Sequence, residues 1–264
     1  MMSFQRLSQL WYTVTYWYTV IISMPILSYI SDEHLIAEVA QLIEIARAAK
    51  AGAEEHFHDN VIDPFAAIFE ISGFGFDHDT WKLGEVLRQN QKTLQNHVGI
   101  FHQNILGHVA GWQNLGVGQE VDLHCIEKKV IAEIKNKYST VSGGKLKDVY
   151  SDLEKLVMPK TSKFKDYTAY FVTVLPKKPD RFDRPFTPSD KSKGSKCTEN
   201  PLIRHIDGAS FYQRVTGREH ALKELFDALP EAIRQVCNTQ RGAVPLSQRD
   251  QQQLQEYFSR AYEK

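Results

Sequence analysis

Three residues, Asp122, Glu133 and Lys135, have types and a spacing that suggest chemistry. They lie in the stretch 118–137, GQEVDLHCIEKKVIAEIKNK. Two neighbouring carboxylates can hold a hard divalent cation such as magnesium, which takes oxygen ligands and keeps several waters. A lysine beside them can orient an attacking water or help to deprotonate it. The combination therefore predicts a site for phosphodiester hydrolysis.

A hairpin of two short strands is predicted to position these side chains. Apolar residues alternate with other residues over 121–125 and again over 129–135. Side chains on a strand change face at every residue, so Glu133 and Lys135 share a face, and pairing of the strands can bring Asp122 to it. Charges on a mostly apolar sheet cost free energy, which favours a functional interpretation. The alternative is an exposed edge hairpin with a surface Glu-Lys pair.

Other motifs are weaker. His97, His102 and His108 lie on one predicted helix, but their spacings do not bring them to one face, so no metal cluster is predicted. Gly143-Gly144-Lys145 lacks the rest of a phosphate-binding loop. The three cysteines are widely spaced and fit no zinc pattern, which makes a reducing cytoplasm the default expectation.

Charge is unevenly distributed in a chain of 264 residues whose formal net charge is zero. Residues 24–80 contain eleven acidic and two basic residues, whereas residues 125–197 contain seventeen basic and nine acidic residues. This asymmetry is compatible with one half of the molecule facing a polyanion, and equally with a solvated lysine-rich surface.

The N-terminal segment differs from the rest. Residues 10–30 carry no charge and approach the length of a membrane span, but polar residues and Pro25 dilute them. An anchor, a buried strand and an extension outside the folded domain are the three interpretations. We expect residues 1–23 to be such an extension, residues 24–264 to form a single domain, and no association with a membrane.

Helical periodicity and capping signals predict six helices, over 31–50, from Pro64, from 79 or 80 to 108, and over 145–158, 219–236 and 247–262. The long helix has an expected buried side, formed by Leu83, Val86, Leu87, Leu94, Val98 and Ile105. It also has a polar stripe, formed by Arg88, Lys92, Gln95, Gly99 and His102. That stripe is either a solvated face or a surface beside the polar face of the hairpin.

Residues 167–175 form a nearly continuous apolar run, which predicts a central strand buried on both faces and parallel to its partner. The polar stretch 176–200 is long for a structureless loop and is therefore expected to be functional or disordered. Short strands are predicted over 203–206 and 210–215. Residues 160–196 combine lysines with Phe164, Tyr167, Phe182 and Phe186, which suggests either a nucleic-acid surface or a flexible solvated loop.

Taken together, the Asp122…Glu133-Ile134-Lys135 hairpin, the preceding helix and the following strand crossover resemble the PD-(D/E)xK nuclease core. Val121 stands where that motif often has proline. More specifically, several blocks of the chain are similar to the type II restriction endonucleases that cut GGNCC, the AsuI group. These blocks are NVIDPFAAIFEI, QKTLQNHVGIFHQNILG, EVDLHCIEKKVIAEIKNKYSTVSGGKL, YTAYFVTVLPKKP and IDGASFYQRVTG.

The resemblance covers roughly residues 24–236 and implies a mixed α/β fold, with a central sheet flanked by helices and a helical N-terminal part. It further implies a Mg²⁺-dependent homodimer in the cytoplasm that cuts both strands of double-stranded DNA at a short palindrome, GGNCC or a subset of it. A cognate DNA methyltransferase would protect the host. By the resemblance Asp122 and Glu133 are metal ligands, and Lys135 positions the nucleophilic water.

Residues that contact DNA are expected in the basic loop after Leu175 and beside the hairpin. Arginine commonly reads guanine through a bidentate contact in the major groove. The candidates are Arg181, Arg184, Arg204 and Lys137. Two alternative functions remain open at this stage: a repair or recombination nuclease on the same core that recognises DNA structure, and a non-catalytic DNA-binding module.

Overall fold

The structure, a computed structural model, describes residues 24–116, 118–190 and 192–263. The prediction for residues 1–23 lies outside this part of the chain. Seven helices occur within it: α1 (Asp32–Ala51), α2 (Pro64–Phe74), α3 (His78–Gly107), α4 (Leu146–Val157), α5 (Gly208–Thr216), α6 (Ala221–Thr239) and α7 (Gln248–Tyr262). The strands are β1 (Gln113–Asn114), β2 (Leu123–Cys125), β3 (Val130–Lys137), β4 (Thr168–Leu175), β5 (Asp183–Pro185), β6 (Ser189–Asp190), β7 (Ser195–Lys196) and β8 (Ile203–Asp207).

Helix starts follow the capping signals in the sequence. Ser31 accepts a hydrogen bond from the backbone N–H of His34 at the start of α1, and Asp63 caps α2 in the same way. These side-chain oxygens satisfy backbone donors that have no partner within the helix. Gly75 ends α2 in the left-handed conformation, with φ of 69°, which glycine adopts without steric cost.

The central sheet has six strands in the order β1-β2-β3-β4-β8-β5. Strands β3, β4 and β8 are parallel, and the remaining pairings are antiparallel. The interior residues of β4 are all buried, as a strand covered on both faces requires. The prediction of a central strand parallel to the second strand of the hairpin is therefore confirmed.

Two separate cores cover the two faces of this sheet. On one face, α1, α3, α5, α6 and α7 pack against alternate residues of β3 and β4. On the other face, α4 packs against the intervening residues together with Phe164 and Phe186. The result is a mixed α/β fold with helices on both sides, which confirms the predicted fold class. Phe164 and Phe186 are core residues, so neither belongs to an exposed nucleic-acid surface, one of the two interpretations of residues 160–196.

The prediction of a strand over 210–215 is wrong, because this segment is part of α5. Asp207 ends β8 and caps the helix by accepting a hydrogen bond from the backbone N–H of Ser210. Gly208 lies directly against β4, where a Cβ atom would collide with the Val174 carbonyl oxygen. Phe211 and Val215, four residues apart, are both buried, which is the spacing of a helix face.

The predicted buried side of the long helix is wrong in its first half. Leu83 and Leu87 are exposed, whereas Trp81 is buried on another side of α3. In the second half, Phe101, Ile105 and Leu106 are buried against the sheet. Periodicity identified an apolar stripe correctly, but burial of that stripe needs a packing partner, and only the C-terminal half has one within the described chain.

The polar stretch 176–200 contains three short strands. Strand β5 pairs with β8 and forms one edge of the sheet, and β6 pairs with β7 in a separate two-stranded ribbon. In the described part of the chain, no helix is both long enough and apolar enough to cross a membrane. The three cysteines are free thiols.

Candidate active site

The hairpin places Asp122 opposite Glu133. Strands β2 and β3 are antiparallel, and Leu123 pairs with Ala132, so the residue before β2 faces the residue after Ala132. The backbone N–H of Asp122 donates to the Ala132 carbonyl over 3.1 Å, which extends the ladder by one step. The predicted convergence of the two carboxylates is therefore a direct consequence of the register.

The carboxylate of Asp122 is held in place by the neighbouring strand. Its Oδ2 accepts a hydrogen bond of 2.7 Å from the backbone N–H of Ile134. The side chain of Gln103, on α3, also hydrogen-bonds to it. A carboxylate with two fixed donors has little freedom to rotate, so its remaining lone pairs point in a defined direction.

Glu133 and Lys135 form an ion pair at the surface of the same hairpin. Lys135 Nζ lies 2.6 Å from Glu133 Oε1, and about a quarter of each side chain is exposed. The two side chains are thus close enough to interact strongly and open enough to meet a large ligand. Their placement on one face confirms the strand alternation predicted from the sequence.

Electrostatic interactions within the site are strong. Burial, and to a smaller extent the negative charge of Glu133, raise the pKa of Asp122 from 3.8 to about 6. Burial opposes the charged form of Lys135, but Glu133 and Asp122 outweigh it and raise the pKa of that amine. The site therefore holds two mutually repelling carboxyl groups partly compensated by one ammonium.

This donor set fits a hard divalent cation. Two carboxylates, partly open to solvent, match the oxygen ligands and retained waters that Mg²⁺ prefers. A cation would also relieve the repulsion that raises the pKa of Asp122. Within the described ranges, no cluster of three or more histidine, cysteine, aspartate or glutamate side chains could hold a metal ion.

A cleft of about 430 Å³ opens beside these residues, between α3 and the C-terminal end of β3. From α3 it is lined by Gln95, Asn96, Gly99, Ile100 and Gln103, and from the hairpin by Ile134, Lys135, Asn136, Lys137, Ser139 and Thr140. The interpretation that the polar stripe of α3 lies beside the hairpin is thus confirmed for Gln95 and Gly99.

Two members of that stripe lie elsewhere. Arg88 is exposed and pairs with Glu85, whereas His102 is buried and its Nδ1 lies 2.8 Å from the Tyr212 hydroxyl. Burial lowers the pKa of His102 to about 4, so it is neutral at physiological pH. Gln103 was missed, although its position four residues after Gly99 continues the row of residues that faces the cleft.

The candidate DNA contacts fall into two groups. Across β3, β4, β8 and β5, Glu133 pairs with Phe171, Phe171 with His205, and His205 with Arg184. Paired residues share a face, so Arg184 projects from the same face of the sheet as Glu133. Arg204 belongs to the next row and projects from the opposite face.

The three arginines also differ in whether their side chains are bonded to other protein groups. Arg204 is bound to Asp183 over 2.5 Å, and Arg181 donates to Ser210 and Gln213 over 2.8 Å each. Arg184 is exposed, and its guanidinium lies 4.7 Å from the centre of the Phe182 ring. Among the described residues, no hydrogen bond or ion pair holds Arg184. Of the three arginines it is the one whose donors are available to a base.

His124 lies on the same face of the hairpin as Asp122 and Glu133, opposite Ile131 and nearer the turn, and its side chain does not join the site. Its Nε2 lies 2.9 Å from Gln113 Oε1, and its ring contacts Phe164. The other histidines that the sequence drew attention to are also separate from it, since His108 stacks on His34 with ring centroids 3.9 Å apart.

A partly exposed pair of carboxylates and a lysine, on a hairpin of a mixed sheet beside a cleft, defines a nuclease-type site. Comparison with known proteins identifies the class. The chain is 54% identical over 239 residues to the type II restriction enzyme Eco47II of Escherichia coli, an alignment that covers 90% of this chain and all of that protein. It is 30% identical over 221 residues to the type II restriction enzyme Sau96I of Staphylococcus aureus, covering 82% of this chain and 83% of that protein.

The protein is therefore a type II restriction endonuclease. The family model described as Eco47II restriction endonuclease matches residues 27–238, and the chain belongs to this family. The family assignment settles the choice between the functions that the sequence left open, in favour of site-specific DNA cleavage over a structure-recognising repair nuclease or a non-catalytic module.

Proposed function

We propose that this enzyme cuts both strands of double-stranded DNA at GGNCC, or at a subset of that sequence, with Mg²⁺ held by Asp122 and Glu133. The observation that carries the proposal is the convergence of these carboxylates with Lys135 beside an open cleft. The likeness of several sequence blocks to GGNCC-cutting enzymes supports the recognition sequence. The same proposal assigns the enzyme to the cytoplasm, with a cognate DNA methyltransferase as its functional partner.

A divalent cation bound here would lower the pKa of its bound water and offset negative charge on the scissile phosphate. The protein residues supply the positions. Hydrogen bonds from the Ile134 N–H and from Gln103 orient the Asp122 carboxylate. Glu133 is positioned by its place on strand β3. Both carboxylates therefore meet a ligand without first losing side-chain freedom, which is the preorganisation that lowers an activation barrier.

Lys135 acts as a cation in this mechanism. Its raised pKa keeps the ammonium protonated at neutral pH, so it donates hydrogen bonds to the attacking water or to a phosphate oxygen. Deprotonation of the water then falls to a group other than the free amine of Lys135. The ion pair with Glu133 holds Nζ next to the carboxylates before DNA arrives.

Different residues recognise the DNA bases and contact the DNA backbone in this proposal. Arg184 is on the catalytic face and exposed, so we assign it to base-edge contact in the major groove. Lys137 lines the cleft two residues after Lys135, which suits a contact to a backbone phosphate near the cut. Arg181 and Arg204 hold the loop after β4 in shape through their bonds to neighbouring residues.

The proposed enzyme works as a homodimer. One hairpin can cut one strand, and a palindromic site presents the same phosphate environment twice, related by a two-fold axis. A protein dimer with matching symmetry places one hairpin at each phosphate.

Digestion of unmethylated plasmid DNA with Mg²⁺, followed by sequencing of the fragment ends, tests this function. We expect discrete fragments whose ends all fall within GGNCC sequences. A smear of products, or ends at unrelated sequences, would refute the proposed specificity.

Omission of the metal with excess chelator is expected to abolish cutting, and retained cutting would refute the role of the cation.

A further inference from the structure

Within the part of the chain that the structure describes, an exposed apolar surface lies at the far end of α3 from the cleft. Helix α2 has the sequence PFAAIFEISGF and contains no buried residue. A helix that is apolar on all sides is expected to be enclosed by other elements. Here six large apolar residues of α2 and of the first turns of α3 are between 56% and 75% exposed: Phe65, Ile68, Phe69, Phe74, Leu83 and Leu87. We call this set the α2 patch.

The patch is structurally defined. Phe65, Ile68 and Phe69 follow helical spacing on one side of α2. The indole N–H of Trp81 in α3 donates to Glu70 of α2 over 2.8 Å, which ties the two helices together. This hydrogen bond fixes the two helices that carry the exposed residues relative to one another, and Phe65, Ile68 and Phe69 form the apolar side of α2.

The size of the patch matches a stable interface. An aromatic side chain offers about 150–250 Å², so Phe65 and Phe69, which share one side of α2, present roughly 300 Å² at their exposures. The aliphatic members raise the total toward the about 800 Å² per partner of a standard protein interface. A single exposed apolar patch of this extent is unusual in a protein that acts alone.

The acidic residues around the α2 patch exclude DNA as its binding partner. Residues 54–85 contain eight acidic residues and one lysine. Acidic side chains repel the phosphates of DNA. Contacts to base edges need polar side chains, which this apolar surface lacks. Glu70 is the only charged residue in α2 and is engaged with Trp81, so the apolar side of α2 itself carries no free charge.

We propose that the α2 patch is the surface through which two copies of this chain form the dimer, in a two-fold symmetric, self-complementary contact. This inference rests on the proposed cleavage of both strands, which requires two active sites. Helix α3 links the two functions: its first turns carry Leu87, and its later turns carry Gln103 beside Asp122. At 1.5 Å per residue these positions are about 24 Å apart, so pairing of the patches fixes the spacing of the two clefts.

Sedimentation analysis of the full chain, alone and with a duplex containing GGNCC in chelator, tests the interface. Phe69→Glu is expected to weaken dimerisation at least about 100-fold, because it removes a central aromatic contact and buries a charge. Leu87→Glu, on the other helix of the patch, is expected to act in the same way. Both positions are exposed in one copy, so both variants should keep the circular dichroism spectrum and melting temperature of a folded monomer. Val244→Glu, at an exposed apolar position outside the patch, is the matched control and should remain dimeric.

A wild-type protein that is monomeric in both conditions, or folded Phe69→Glu and Leu87→Glu variants that dimerise like the parent, would overturn the inference. Cleavage separates its failure from failure of the proposed function. If the wild type cuts GGNCC and the variants remain dimeric, only the interface is wrong. If the variants are monomeric but the wild type does not cut with Mg²⁺, only the function is wrong. If the proposed function and the proposed interface are both correct, the monomeric variants should lose concerted double-strand cutting of plasmid DNA.

Discussion

At the scale of single residues, the site stores unfavourable electrostatic energy. Asp122 and Glu133 repel one another in a partly buried setting, and Lys135 offsets only part of that cost. A protein selected for stability alone would avoid such a pair, because like charges in a poorly solvated site raise the free energy of the folded state. A bound cation removes the repulsion, so the instability of the free site is itself a property suited to metal binding.

This balance predicts how stability responds to Asp122→Asn in the presence of chelator. Because the folded-state pKa of Asp122 is raised from 3.8 to about 6, the folded protein binds this proton more tightly than the unfolded chain. Stability therefore falls as pH rises from about 4 to about 6, at a cost of up to about 3 kcal/mol. We expect the variant to be more stable than the wild type at pH 7, by about 1–3 kcal/mol, and to lose this advantage near pH 4.

Urea denaturation of both proteins at pH 7 and pH 4 measures this difference. Asp152→Asn, on the exposed side of α4, is the control and should show no comparable gain. Equal stability of Asp122→Asn and wild type at pH 7 would mean that the carboxylates do not interact as described.

Arg184 and Arg204 are predicted to behave differently when replaced by alanine. Arg184→Ala should reduce cleavage at the cognate sequence by about 10-fold to 100-fold, because it removes a base contact worth about 1–3 kcal/mol. Its non-specific DNA binding should change much less. Arg204→Ala breaks the bonds to Asp183 and should mainly lower the melting temperature. Cleavage rates on cognate and single-mismatch duplexes, with filter binding to unrelated DNA, distinguish the two. An equal loss on all sequences would make Arg184 a phosphate contact.

At the scale of elements, the hairpin was predictable because its register follows from local sequence. Alternation over 129–135 identifies the face of Glu133 and Lys135, and a tight turn brings Asp122 to the same place. The capped helices were predictable for the same reason, since a capping residue at the helix start is a local signal.

Elements that depend on distant contacts were not predictable. The segment 210–215 alternates like a strand, but Asp207 and the tight approach of Gly208 to β4 make it a helix. Phe164 and Phe186 lie among lysines in sequence and in the core in space. Gln103 reaches Asp122 only because α3 packs beside the hairpin, a tertiary relation that spacing does not encode.

Gly208→Ala tests the junction between β8 and α5. A methyl group there would collide with the Val174 carbonyl oxygen, and both atoms belong to backbone that cannot easily move. We expect a loss of about 1–3 kcal/mol in the free energy of unfolding, measured by urea denaturation. Gly144→Ala, where the new methyl group meets no atom within 4 Å, is the control. A Gly208→Ala protein as stable as this control would be inconsistent with the described packing.

At the scale of the whole molecule, the proposed sites of cutting and of dimerisation lie toward opposite ends of α3. The cleft lies where this helix meets the hairpin, and the α2 patch lies at its start. The acidic region 24–80 contains the four patch residues that lie on α2, and the basic region 125–197 contains Glu133, Lys135 and Arg184. The charge asymmetry thus agrees with a proposed protein-facing surface on the acidic side and a proposed DNA-facing surface on the basic side, although net charge alone reveals neither.

We assign DNA cutting to the hairpin that carries Asp122, Glu133 and Lys135. This assignment is tested by the single-turnover cleavage rate of Lys135→Ala on a GGNCC duplex with Mg²⁺, measured beside DNA affinity in chelator. We predict a rate about 10²-fold to 10⁴-fold below wild type, with affinity changed only a few-fold and with Lys155→Ala, an exposed control on α4, cutting normally. A Lys135→Ala enzyme that cuts as fast as the parent would contradict the mechanism.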